Sequence, residues 1–145
     1  MIDFADRIFK EVSILEKYED SARLSDGIVF QHKKYDLLRA ILWSNSLIVK
    51  EKCNSGFHTI VYFFEYNSDD PILVVKQRSF SKFLEEIKDK KGSSVVLIPI
   101  AGNLNIGSIE FLKSNYGVDS LPAVLVDEKV VATDIEELTN IEDYL

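Results

Sequence analysis

The stretch Tyr116-Gly117-Val118-Asp119-Ser120-Leu121-Pro122-Ala123-Val124-Leu125-Val126-Asp127 sets a proline at the mouth of an unbroken apolar run. Upstream, Asn105 to Tyr116 reads as a helix with Ile106, Ile109 and Leu112 on one face. Gly117 stands where a helix commonly ends in the left-handed conformation, which a residue without Cβ enters at no steric cost. Ala123 to Val126 then reads as a buried strand. Asp127-Glu128 leaves room only for a tight turn into a short strand, Lys129 to Ala132, so the two strands should form a hairpin. A strand that opens on a residue without an N–H loses no ladder bond if the proline sits at its very end.

Two further buried strands lie upstream. Thr59-Ile60-Val61-Tyr62-Phe63-Phe64 and Ser94-Val95-Val96-Leu97-Ile98-Pro99-Ile100-Ala101 are β-branched and aromatic without polar alternation, as expected when both faces are covered. Pro99 marks a strand end, an edge or a bulge. Between them Leu73, Phe80, Leu84 and Ile87 share a narrow helical arc, flanked by Ile72 and Phe83. Val74 and Val75 lie off that arc, which leaves two readings: a helix covered on a second side, or a non-helical Ile72 to Val75. Asp70-Pro71 is an N-cap followed by a first-turn proline. Asp134 to Leu145 closes the chain as a helix with an acidic first turn. The order is β-α-β-α-β-β-α. The first two strands, joined by a helical crossover, should be parallel, giving a four-stranded mixed sheet with helices on both faces.

The first third is helical in pattern. Ala5, Ile8, Phe9, Val12 and Leu15 form one stripe, Ser25-Asp26-Gly27 breaks it, and Tyr35, Leu38, Ile41, Leu42 and Leu47 form a second. This predicts an N-terminal helical hairpin over residues 1–52, divided by the polar linker Lys50 to Gly56 from a domain over residues 53–145. Its sharper reading is a partner-binding or self-association face anchored by Trp43, since tryptophan is enriched at binding hot spots.

From about residue 57 to 145 the chain resembles the thioredoxin-like fold, in the minimal arrangement of glutaredoxins. The resemblance rests on the helix ending at Tyr116-Gly117-Val118, on Leu121-Pro122 opening a strand, and on the acidic turn and short hairpin strand after it. It implies a cis Leu121–Pro122 bond; the alternative is a trans proline beginning an edge strand. It also implies that this proline faces the end of the first strand, where the family carries Cys-x-x-Cys. The matching stretch here is Phe63-Phe64-Glu65-Tyr66-Asn67-Ser68-Asp69-Asp70-Pro71, which holds no cysteine. Asn67 and Asp70 fall nearest the positions of the two thiols. A carboxamide and a carboxylate cannot perform thiol exchange, so the family's redox activity is not carried over. Relatives receive extended segments on this surface by backbone pairing. Tyr66, Asn67, Ser68, Asp69 and Asp70 with Leu121 and Pro122 are therefore the candidate binding residues for a protein or peptide partner.

Cys53, the single cysteine, precedes the first strand, whereas the site follows it; eight residues at about 3.3 Å each put roughly 26 Å between the two ends. The expectation is a redox-inactive binding or assembly module without cofactor or metal. The alternative is an enzyme of unrecognised type that uses Cys53 or acidic residues.

Composition narrows the classes further. A chain of 145 residues with a net charge of −7 lacks the basic stripe that supplies most nucleic-acid affinity, and it disfavours anionic membrane surfaces. The most apolar stretch, Tyr35 to Val49, is interrupted by Arg39, Ser44, Asn45 and Ser46, and the N-terminus lacks the basic start and apolar run of a signal peptide. With one cysteine no intrachain disulfide forms, in keeping with a cytoplasmic setting. His32, expected at a helix start, and His58, at a strand rim, match no metal spacing with Cys53. Asp127-Glu128 and Glu136-Glu137 are expected in a turn and on a solvated face. Ala101 to Gly107 lacks the lysine and glycine pattern of a phosphate loop.

Overall fold

A computed structural model describes residues 4–12, 26–53 and 56–145. Leu15 of the first predicted stripe, Ser25 of the predicted break, and Asn54 and Ser55 of the linker lie outside the described residues. In chain order the elements are α1 (residues 4–12), α2 (Asp26–Cys53), β1 (His58–Phe64), α3 (Pro71–Lys91), a single 3-10 turn (Gly92–Ser94), β2 (Val95–Ala101), α4 (Gly107–Asn115), β3 (Ala123–Val126), β4 (Val130–Ala132) and α5 (Ile135–Tyr144).

The strands line up β2-β1-β3-β4. β1 runs parallel to β2 from His58↔Val95 to Phe64↔Ala101 and antiparallel to β3 from Ile60↔Val126 to Phe63↔Ala123. β4 completes the hairpin with β3. Pro99 lies in β2, an outer strand, the place where a missing N–H breaks no interior ladder. Alternation along β1 divides the core into two layers. Val61 and Phe63 pack with Trp43 of α2 and Ile109 of α4, while Ile60 and Tyr62 pack with Phe80 and Leu84 of α3 and Leu138 of α5. Each such side chain taken fully from water stabilises the fold by about 1.5–3 kcal/mol. This mixed sheet with helices on both faces is a thioredoxin-like fold.

Local chemistry closes the elements. Asp70 caps α3 by accepting the Ile72 N–H at 3.0 Å with Pro71 in the first turn, and Asp134 caps α5 by accepting the Glu137 N–H at 2.8 Å. α4 begins two residues later than its pattern implied, because Asn105 adopts a positive φ of 54°. Gly117 sits at φ 72°, as the helix stop required. Residues 72–75 are helical: Ile72 and Val75 face solvent, while Val74 is half-buried and lines the same cavity as Phe9 and Val12 of α1.

The largest departure concerns α2. Of the expected inward stripe Leu42 is buried and Leu47 packs against the core, but Ile41 is more than half exposed, and the buried face also carries His32, Asp36, Arg39, Ala40, Trp43 and Ser46. His32 is in the second turn of the helix, not at its start. Trp43, expected to anchor a partner face, is fully buried: it stacks edge-on to Phe63 at 6.0 Å and its Nε1 donates to Glu128 Oε1 at 2.8 Å. Counting apolar residues alone misses a helix that turns polar groups inward. Across the expected boundary at 52/53, α2 and the sheet share one core.

The Asp127-Glu128 turn also differs from the solvated pair expected. Both residues have positive φ (48° and 59°) as the central pair of a turn closed by the Lys129 N–H to the Val126 carbonyl at 3.0 Å, and three residues separate Val126 from its β4 partner Val130. Their side chains are largely enclosed. Asp127 accepts from Lys50 Nζ (2.6 Å), His58 Nδ1 (2.6 Å) and the Thr59 N–H (3.0 Å), and Glu128 accepts from Thr59 Oγ1 and Trp43. This network ties the C-terminal half of α2 to the pole where β1 begins. Burial pushes the Asp127 carboxyl up, but the bonds from His58, Lys50 and Thr59 outweigh it and hold the group below its ordinary value.

Candidate functional site

The opposite pole is built where three chain segments meet. β1 ends at Phe64. On one side β2 ends at Ala101, and the Gly102 N–H donates to the Phe64 carbonyl at 2.8 Å. On the other, continuing the antiparallel register one step beyond Phe63↔Ala123 sets Pro122 across from Phe64. The Leu121–Pro122 peptide is cis. Gly102 lies close to Leu121: a Cβ on it would come within 2.9 Å of a terminal methyl of that side chain, which would have to shift.

The loop leaving β1 is pinned by two carboxamides. Glu65 donates its N–H to Gln77 Oε1 at 2.6 Å while Gln77 Nε2 donates to the Glu65 carbonyl at 3.1 Å. Tyr66 is held the same way, its N–H to Asn103 Oδ1 and its carbonyl from Asn103 Nδ2, both at 2.8 Å. Each amide thus reproduces the donor–acceptor pair of a neighbouring strand. Asn67 then takes a positive φ of 53°, Ser68 Oγ accepts the Asp70 N–H at 3.2 Å, and Asp70 caps α3. The result is a loop held in shape before any partner arrives.

The sequence-based candidates therefore divide. Tyr66, Asn67, Ser68, Asp69 and Asp70 form one continuous loop at this pole, and Leu121 and Pro122 reach the same pole from β3. Ser68 and Asp70 are engaged in shaping the loop itself, and Asp69 is exposed. Trp43 lies in the core, away from any surface. Sequence reading did not find Gln77 and Asn103. The signal for Gln77 was present: it falls on the same inward arc of α3 as Leu73, Phe80, Leu84 and Ile87, an unexpected place for an amide.

Beside the loop a cavity of about 560 Å³ opens, walled by His32, Arg39, Tyr62, Phe64, Tyr66 and Leu97 among others. His32 and Arg39 bring two residues of the polar stripe of α2 to its wall. Asp36 lies between His32 (Nδ1 to Oδ2, 3.3 Å) and Arg39 (Nη1 to Oδ1, 3.4 Å), and its Oδ1 also accepts the Ala101 N–H at 3.3 Å. A carboxylate can only accept, so His32 Nδ1 donates. The His32 ring lies 4.2 Å from that of Tyr66, which links the buried cluster to the loop. Burial pushes the Tyr62 phenol up to about 12, only partly offset by its bond with Ser81, so the hydroxyl stays a donor; it reaches the Gln77 carbonyl at 3.2 Å.

The pole holds carboxamides, hydroxyls and carboxylates but no thiol. Cys53 is exposed at the end of α2, next to the turn carrying Lys50, whose Nζ reaches Thr59 at the start of β1. The length of β1, about 20 Å, separates it from the loop. Among the described residues, no three His, Cys, Asp or Glu side chains converge as a metal site. No helix among them is long and apolar enough to cross a membrane.

No family model matches the chain, and no curated protein matches it. Among solved structures it is similar to thioredoxin O2 from Arabidopsis thaliana in the oxidized state, with 15% identity over 72% of this chain and 87% of that chain and a TM-score of 0.49. The fold assignment rests on the strand order and layering described above.

Proposed function

We propose that this chain is a redox-inactive thioredoxin-like module that binds an extended segment of a protein partner, and that it works in the cytoplasm. The observation that carries the reading is the pinned loop. Gln77 and Asn103 hold Glu65 and Tyr66 rigidly at the pole where Leu121–Pro122 begins β3, and Asn67 and Asp70 stand where thiol chemistry would need sulfur. A preorganised loop costs little ordering on binding, and with the Glu65 and Tyr66 backbone groups already paired the extended segment would pair with the backbone before Pro122. The single cysteine at the far pole supports both the redox-inactive reading and a reducing compartment.

Two experiments test it. In an insulin-reduction assay with a supplied reductant the chain is expected to add nothing to the background; turnover would overturn the redox-inactive half. A displayed library of extended peptides, panned on the wild type and on Asn67→Arg, tests the binding half. Enrichment that disappears on the variant is expected, and equal enrichment on both would place binding elsewhere.

A further inference from the structure

α2 buries polar groups beside Ala40, Leu42 and Trp43 and leaves an apolar row outside. Its inward arc carries His32, Asp36, Arg39 and Ser46, while Phe30, Leu37, Ile41 and Ile48 on the outward side are 67%, 43%, 54% and 48% exposed. At 100° per residue these four fall within about 40° of one another, diametrically opposite the buried arc. Buried charge together with an aligned exposed apolar row is the pairing that calls for an explanation.

The row is also symmetric. Its steps are seven, four and seven residues, so it reads the same from either end about position 39. Two copies laid antiparallel, with residue i against residue 78 − i, set Phe30 against the partner's Ile48 and Leu37 against the partner's Ile41. The flanking lysines fit this orientation. Lys33 and Lys34 then face Asn45 and Ser44 of the other copy, whereas a parallel pairing would set the four lysines together. A self-complementary patch is what a two-fold interface needs.

We infer that a second copy of this chain covers this row, through an antiparallel α2–α2 contact. This goes beyond the peptide-binding reading proposed above. Its test reads mass and orientation, not redox turnover or peptide capture, so the two readings fail separately. From Phe30 to Ile48 the row is about 27 Å long and a helix about 10 Å wide. That amounts to on the order of 300 Å² per protomer, below the size of a permanent interface, so the dimer is a reversible one.

Sedimentation equilibrium of the full chain, from roughly 10 μM to 1 mM, is expected to show the 16.6 kDa mass rising toward twofold. Leu37→Glu and Ile41→Glu should each hold it at the monomer value with an unchanged melting temperature, since both side chains are exposed. Orientation is read in a Cys53→Ser background. A mixture of Leu37→Cys and Ile41→Cys chains should give chiefly the mixed disulfide. Homodisulfides alone would indicate a parallel contact and overturn the proposal. A wild-type monomer throughout the range would overturn it too. If the glutamate variants were destabilised as well, the chain's own residues 13–25 would be the cover; if they were not, the cover would be a different protein.

Discussion

Removing the Asp36 carboxylate should be among the most damaging single changes in the molecule. Asp36 is fully buried and accepts from His32, Arg39 and the Ala101 N–H. Deleting one partner of a buried ion pair costs about 3–5 kcal/mol, because the remaining charge stays desolvated. The three contacts are long, at 3.3–3.4 Å, which places Asp36→Ala near the low end, about 3 kcal/mol. For a chain of this size each kcal/mol moves the melting temperature by about 2–4 °C, so a fall of roughly 10 °C is expected. Asp36→Asn keeps the shape and an acceptor for Ala101, and should lose only about 1–2 kcal/mol. The triple replacement His32→Leu, Asp36→Leu, Arg39→Met should recover much of the loss, since apolar residues of similar volume commonly match a buried ionic cluster. Urea titration with an unchanged m-value, alongside thermal melting, supplies the numbers. A loss below about 1 kcal/mol for Asp36→Ala would refute the reasoning, because it would mean that water from the adjoining cavity already solvates the cluster.

Other consequences can be measured directly. Asn103→Ala leaves the Tyr66 N–H and carbonyl without their amide partner; a loss of about 1 kcal/mol and faster hydrogen exchange at the Tyr66 amide are expected, with the rest of the sheet unchanged. Asp127 has a folded-state value below its ordinary 3.8, so its stabilisation is complete above that value and is lost as pH falls through the lower, folded one. Asp127→Asn should therefore flatten the acid limb of the stability profile below about pH 4, and an unchanged limb would count against the His58–Lys50–Thr59 network. Tyr62 is shifted the other way, to about 12; its contribution is intact below 10 and declines as pH rises from 10 through about 12. Tyr62→Phe should remove that alkaline slope, followed by tyrosinate absorbance against pH.

Much of this molecule can be read from residue order, because the signals are local. Buried strands announce themselves by β-branched and aromatic runs, helix ends by Asp70-Pro71, Gly117 and Asp134, and the hairpin by the short polar gap after Val126; all of these concern neighbours in the chain. The absence of thiols after β1 is equally plain, as is the loop from Tyr66 to Asp70. The inward face of α2 depended instead on tertiary structure. Hydrophobic periodicity counts apolar residues, and here His32, Asp36 and Arg39 go inside because they satisfy one another and the end of β2, while Phe30, Leu37, Ile41 and Ile48 stay out. The clamps from Gln77 and Asn103 were hidden for the same reason, their partners being 12 and 37 residues away. So were the enclosure of Trp43 and the tying of Asp127 to α2. A chain carries its local preferences in its order, but which polar groups find each other across the core is settled only when distant segments are packed side by side.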